Sequence, residues 1–508
     1  MKINPLMAVG VAAALLLAGC GGGTGSTSGS TTMTVGTGDR GDSLDSASAY
    51  VGWSNSRDGI VETLVDVDEH LNLVPELATS WENTDPTTWV ITLRDGVTFH
   101  NGAPMDAAAV KASLEHAIAT NVRAQAQMPI ASMTPEGNKL TIVTSMPLAA
   151  LPNILTDPMT GIQAVGDGIN PATDPQGTGP FQVSEFVPHE RLELDAYPGY
   201  WGGEPKLSHV TVRSYADLQA LGLAMQSGEV QVAVQPEAAG LSVFSDTSEF
   251  TTWDVTSTRA EAVIMNTASP VTSDPKVREA VNWAIDREAY VSLMHGMGVA
   301  SYNLFSPDIA FGKTDGLNIP VDKKDLAKAK QLLLEAGYTE SDGMLVKDGQ
   351  PLVLRLLTYP KRPQLGQMAQ LLQSDLGSIG AKVEISELTS TTDQMVAGEF
   401  ELGMYSMAMV PTGDSQYFFE TMLRSGSTSN YSHYNSPQFD AALDTLGATF
   451  GAEERAKQTQ ALTQMVHNDM PYVVFGHSKW WVISTAAVKD LSLRPTEYHL
   501  LDHRTHVG

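Results

Sequence analysis

A mixed α/β body of two or three cooperating lobes is the fold class that three observations predict. Helical and strand-like patterns alternate along the chain instead of segregating, which argues against a helix bundle and against an all-β sandwich. Hydrophobic residues make up 42% of 508 residues, enough for substantial burial in a chain longer than one core usually serves. A single cysteine rules out internal disulfides, so burial must stabilise the fold.

The N-terminus comes first. Leu6 to Ala18 is an apolar run broken only by Gly10, with Lys2 ahead of it. That is the length of a signal-peptide core, well short of the roughly 20 residues of a membrane-spanning helix. Leu17-Ala18-Gly19-Cys20 resembles the lipobox of bacterial lipoproteins. The resemblance implies that the Cys20 thiol, the strongest side-chain nucleophile available, takes a diacylglycerol and becomes the new N-terminus. An ordinary secretory signal with a chance cysteine is the alternative. Residues 1–19 are thus expected to be a signal peptide, and 20–32 the lipidated cysteine with a Gly/Ser/Thr leash that reaches about 20 Å as a coil. Removing 1–19 takes away Lys2 alone, moving the formal charge from −27 to −28. With 58 acids against 31 bases, neither nucleic acid nor a polybasic grip on lipid is expected.

The body follows element by element. Asp106 caps a helix over 106–118 whose buried face carries Val110, Leu114, Ala117 and Ile118. Leu218, Leu221 and Met225 mark a helix over 217–227, stopped by Gly228 and followed by a strand at Val230–Val234. Asp274-Pro275 opens another, with the acid as cap and the proline in the first turn. Further helices are expected at 325–336, 364–379 and 453–469, the first two ended by Gly337 and Gly380. Strands follow around Val383–Ile385 and Tyr472–Phe475.

No catalytic constellation emerges. Gly36-Thr37-Gly38-Asp39-Arg40-Gly41 has the spaced glycines of a dinucleotide loop, but the following Asp42-Ser43-Leu44-Asp45-Ser46 lacks the apolar stripe of the required helix, so a turn after the first strand is expected. Gly-x-Ser-x-Gly and His-Glu-x-x-His are absent, and no cysteine nucleophile lies in the body. His499, His503 and His506 have helix-compatible spacing that could gather a metal, yet they sit at the chain end where order usually frays. The aromatic and amide-rich stretch Ser429-Asn430-Tyr431-Ser432-His433-Tyr434-Asn435 reads either as a recognition loop or as an ordered surface turn.

From about Met33 onward, the chain resembles the solute-binding proteins of oligopeptide, dipeptide and nickel ABC importers. The landmarks are Ile60-Val61-Glu62-Thr63-Leu64, Val74-Pro75-Glu76-Leu77-Ala78, the run Trp89 to Gly102, Gly177-Thr178-Gly179-Pro180-Phe181, Tyr200-Trp201, Val277-Arg278-Glu279-Ala280, Ala284-Ile285-Asp286-Arg287 and Ala329 to Tyr338. The resemblance implies a two-lobed periplasmic-binding-protein clamp: residues 33–265 plus 477–508 as the larger lobe, an extra subdomain at about 51–168, and 266–476 as the smaller lobe. Hinge crossings are implied near Met265-Asn266 and Gly476-His477.

It further implies a monomer without cofactor or enzymatic activity, tethered by lipid to the outer face of the cytoplasmic membrane or held in the periplasm. There it would deliver solute to a permease and ATPase. In peptide-binding relatives an aspartate pairs with the peptide amine; here Pro411 occupies that place and Asp414 matches the motif's second acid. In nickel- and opine-chelate relatives an arginine precedes the Gly-Thr-Gly-Pro motif, where this chain has Leu155-Thr156-Asp157-Pro158; Arg424 could substitute as a carboxylate fork. Candidate ligand contacts are therefore Asp414, Tyr417, Arg424, Asn430, Tyr431 and His433, with Trp53 from the opposite lobe. A short peptide or peptide-like solute is the leading expectation and a metal chelate the alternative. A secreted hydrolase and a lipoprotein sensor are the other classes.

Overall fold

The computed structural model describes residues 31–319 and 321–508. Cys20, the apolar run before it and most of the leash lie outside the described residues.

One eleven-stranded sheet runs through both lobes. At the larger-lobe end Thr32–Gly38 lies between parallel partners His209–Tyr215 and Val232–Val234. Met33 and Val35 point into the core on alternate positions, as a strand's two-residue period requires. Antiparallel Arg191–Ala196 and Phe181–Val187 finish that end. At the smaller-lobe end Val353–Thr358 pairs in parallel with Lys382–Glu387 and Leu402–Ala408.

Two long antiparallel strands join the ends: Phe250–Met265, of 16 residues, and Tyr472–Thr485, of 14. Each changes core partway along. Trp253, Val255, Trp480 and Val482 pack with Met33, Val35 and Val212. Ala260, Ala262, Ile264, Tyr472 and Val474 join the smaller-lobe core around Phe418 and Phe439, while Val263, Met265, Val473 and Phe475 join its second core around Leu354 and Leu372. Between these sets the register slips, from Thr256 opposite Lys479 to Ala260 opposite His477. Such irregularities bend and twist a strand locally. The change of core thus falls at residues 256–259, ahead of the Met265-Asn266 crossing that the sequence suggested. The apolar run continues past it because the strand serves cores on both sides.

The extra subdomain is a four-stranded antiparallel sheet of Ala78–Asp85, Thr88–Leu93, Lys139–Thr144 and Ile130–Glu136. Its core spans Leu64 to Ala164 and includes Val110 and Leu114 of the helix Ala107–Thr120. Asp106 caps that helix, accepting from Ala109 N at 2.8 Å. Asp217, Asp274 and Asp325 cap the helices Leu218–Gln226, Pro275–Ala284 and Leu326–Glu335 in the same way. Gly337 and Gly380 follow their helices at φ +94°, a left-handed conformation that favours glycine. Gly36 and Gly38 belong to the first strand, not to a phosphate loop.

Candidate functional site

In open α/β sheets, ligands gather beyond the carboxyl ends of parallel strands. Both lobes turn such ends toward their common boundary. Thr32–Gly38 leads through residues 39–50 into a short helix, Val51–Arg57, that carries Trp53. Val353–Thr358 leads into Tyr359-Pro360-Lys361-Arg362 and the helix Pro363–Ser378. Leu402–Ala408 leads to the segment before the helix Gln416–Met422, which holds Tyr417.

Aromatic rings from both lobes meet here. Trp53 packs edge-on against Tyr498, with centroids 5.4 Å apart, and both enclose Ala408 of the smaller lobe. The Tyr498 hydroxyl donates to Pro411 O at 2.7 Å. Tyr405 and Tyr431 face each other at 5.8 Å. Arg123, from the extra subdomain, lies 4.6 Å over the Tyr50 ring and 5.9 Å from that of Tyr417. Of these, the Tyr498 bond to Pro411 O, the packing of Ala408 and the approach of Arg123 to Tyr417 cross between the lobes, as a closed clamp requires.

The charges are unevenly satisfied. Asp157 is ion-paired with Arg123 and accepts from Trp53 Nε1 at 3.1 Å. Burial opposes the Arg123 charge, but the Asp157 carboxylate outweighs it and holds the guanidinium protonated. Arg123 Nε and Nη1 are buried with no acceptor in hydrogen-bonding geometry. Arg259 forms a fork with Glu497, at 3.0 Å from Nε to Oε1 and 2.8 Å from Nη2 to Oε2. Glu261 is fully buried and accepts from the Tyr290 hydroxyl at 2.9 Å and from Ser406 at 3.3 Å. Burial pushes its pKa up. Arg362 stands beside this group, near Tyr359; its side chain makes no direct hydrogen bond or ion pair with any described residue, though the Glu497 and Glu261 carboxylates lie near enough to attract it. Repulsion from Arg259, then burial, lowers its pKa. The donors left without an acceptor in this group are guanidinium N–H groups of Arg123 and Arg362.

The residues singled out from sequence separate into two sets. Trp53 and Tyr417 take part in the inter-lobe contacts, and Tyr431 packs on Tyr405 within the smaller lobe. The others are committed within the smaller lobe. Asp414 receives a bidentate grip from Arg455 and accepts from Gln416 N at 2.8 Å. Arg424 gives Nε and Nη2 to Glu420 and Nη2 also to Asp444, so the guanidinium expected to be a free carboxylate fork is already engaged by two acids along one edge. Asn430 donates to Tyr434 O at 2.8 Å, and His433 Nε2 meets Met395 O at 2.9 Å, so both brace their loop. The three C-terminal histidines do not converge: His499 pairs with Asp66, His503 packs on Tyr200, and His506 lies by Asp490.

Residues 72–430 match the family model described as bacterial extracellular solute-binding proteins, family 5 Middle. The chain belongs to this family. The nickel-binding protein NikA of Staphylococcus aureus is 26% identical over 450 residues, covering 88% of this chain and 89% of that protein. The glutathione-binding protein GsiB of Salmonella paratyphi A is 27% identical over 452 residues, 83% and 86% of the two chains. Among solved structures, the nickel ABC transporter protein of Bacillus halodurans aligns at 30% identity with a TM-score of 0.81, over 94% of this chain and all of the other.

For this family 5 chain, sequence reasoning passed over Arg123, Tyr359, Arg362, Tyr405 and Tyr498. They lie in four separate segments with no common spacing, Tyr359 and Arg362 sharing one. Arg362, next to Lys361, reads as an ordinary exposed charge. The usable signal was positional: Tyr359 to Arg362 directly follow a parallel strand and precede a helix.

Proposed function

We propose that this chain is the extracytoplasmic substrate-binding component of an ABC importer, enclosing a short peptide or peptide-like solute that carries a carboxylate. The observation that carries this reading is the Arg362 guanidinium at the lobe boundary, which makes no direct hydrogen bond or ion pair with any described side chain. A planar fork of N–H donors matches a carboxylate bidentately. Arg123 offers two further unfilled donors on the facing lobe, and Trp53, Tyr405, Tyr417, Tyr431 and Tyr498 supply walls. A solute touching both lobes favours the closed arrangement through its differential affinity for it. The hinge lies at residues 256–259 and 476–479. The chain acts as a monomer and binds without turnover, its cargo leaving through a permease and ATPase, while a lipid on Cys20 keeps it at the membrane.

A second reading is favoured by one specific feature. Pro411 offers only its carbonyl, and Tyr498 already occupies that. Asp157, Asp414 and Glu497 are each bound to an arginine. The remaining acid, Glu261, is fully buried and accepts from the Tyr290 and Ser406 hydroxyls; a free ammonium group therefore finds no exposed unpaired acid among these, which suits a solute whose amine is masked or bound to a metal, such as a carboxylate chelate.

Calorimetry with carboxylate-bearing peptides and with nickel chelates tests both. Arg362→Ala should weaken binding at least tenfold, as expected for a charge-assisted pair contributing about 1.5–3 kcal/mol. Unchanged affinity for every carboxylate solute that the wild type binds would remove Arg362 from the site.

A further inference from the structure

A second space between the lobes lies apart from the guanidinium cluster. It has a volume of about 690 Å³ and is walled by Leu71, Trp81 and Trp89 of the extra subdomain's side and by Phe311, Phe450 and Arg455 of the smaller lobe. None of Trp53, Arg123, Arg362, Tyr405, Tyr417, Tyr431 or Tyr498 lines it. Two inter-lobe hydrogen bonds stand beside it, Ala149 N to Gly447 O and Asn153 Nδ2 to Thr412 O, each 3.0 Å.

We propose that this cavity is a binding site for a small, uncharged aromatic molecule bearing a hydrogen-bond donor. Its size falls in the roughly 300–1,000 Å³ range of small-molecule sites. Its rings come from both lobes: Trp89 and Phe450 pack against each other in its wall with centroids 6.0 Å apart. Apart from the imidazole of the exposed His70, the charged groups of the lining are paired. Arg455 gives Nε and Nη2 to Asp414 at 2.9 and 2.7 Å, and Nη1 to Leu446 O and Thr449 O at 2.7 and 3.0 Å. That saturated pair has nothing left for an anion or an ammonium ion, and burying an ionised group without a partner is costly. Hydrogen-bond acceptors do remain. Asn83 and Asn153 each donate through Nδ2, to Thr88 O at 3.2 Å and Thr412 O at 3.0 Å, leaving both amide oxygens for a ligand N–H or O–H. The indole N–H of Trp89 is taken by Leu148 O at 3.1 Å, so this ring contributes only its apolar surface. Because both lobes supply walls, the occupant binds the joined lobes better than the separated ones and shifts the clamp toward closure.

The neutral fluorophore N-phenyl-1-naphthylamine, with one N–H, is a suitable probe. Titrated into the full chain, it should gain emission in a saturable manner with one molecule per chain. Ala456→Trp places an indole into the cavity from the helix Ala452–Asp469 and should weaken probe binding at least tenfold while melting stays cooperative. Ala310→Trp, from another segment of the wall, serves if the first variant fails to melt cooperatively. Arg362→Ala should bind the probe like the wild type, whatever it does to solute capture. The inference is overturned by absence of saturable probe binding, by undiminished binding in the folded tryptophan variants, or by equal loss in Arg362→Ala.

Discussion

Arg424 and Arg362 bring the same guanidinium into opposite situations. The Arg424 group lies between Glu420 and Asp444 on a partly exposed surface, where such pairs contribute about 0–1 kcal/mol. Arg424→Ala should therefore leave solute affinity within about twofold and lower stability only slightly, as calorimetry and chemical denaturation would report. Arg362 has no such partner, so its removal should appear in binding. Glu62 offers a different residue-level test. It accepts from Tyr200 at 2.7 Å and Trp201 at 2.9 Å, and burial raises its pKa from 4.5 to about 7, with the neighbouring Asp66 carboxylate adding to the shift. A carboxyl whose folded pKa is raised stabilises the fold fully below its unfolded pKa and loses that contribution as pH climbs through the folded value. Between pH 4.5 and 7 the Glu62 contribution should therefore fall as pH rises, while His100, His467 and His477, whose burial holds their pKa at about 4, act in the opposite sense. Glu62→Gln, uncharged throughout, should lack the Glu62 decline, so its melting temperature relative to the wild type should rise across that range.

The two long strands between the lobes depend on a close approach at Gly476. A Cβ there would sit 2.2 Å from Val299 O and 2.4 Å from a Tyr290 ring carbon. Gly476→Ala should cost about 1–3 kcal/mol through overpacking, measured as a lower denaturation midpoint. Elements of this kind differ in how well the sequence announces them. The helices Ala107–Thr120, Leu218–Gln226 and Pro275–Ala284 were legible because their capping acids are local, with Gly228 as a stop signal for the second. The strand around Tyr472 was recognisable but its extent was not. Phe250–Met265 and Tyr472–Thr485 each cross between cores, so no single burial pattern spans them. The candidate site was the least legible. Tyr417, Tyr431 and Trp53 stood out as aromatics in suggestive segments, but Arg123 and Arg362 acquire meaning only when distant loops meet. Asp414 looked like a ligand group because nothing in its own segment reveals Arg455 as its partner.

For the molecule as a whole, a shared sheet with separate cores on either side of residues 256–259 makes relative lobe motion the expected mode of action. The Tyr498 hydroxyl bond to Pro411 O crosses between lobes, so Tyr498→Phe should favour opening and weaken solute binding by about two- to tenfold, in line with loss of one neutral hydrogen bond. Small-angle scattering should show a smaller radius of gyration with bound solute than without. The central claim, a carboxylate solute enclosed at Arg362, is tested most directly by native mass spectrometry of the purified full chain beside Arg362→Ala, with identification of whatever solute each releases. The wild type should carry a carboxylate-bearing, peptide-like or chelate molecule that the variant has lost. Retention of the same molecule by Arg362→Ala, or release of a solute without any carboxylate, would contradict the account.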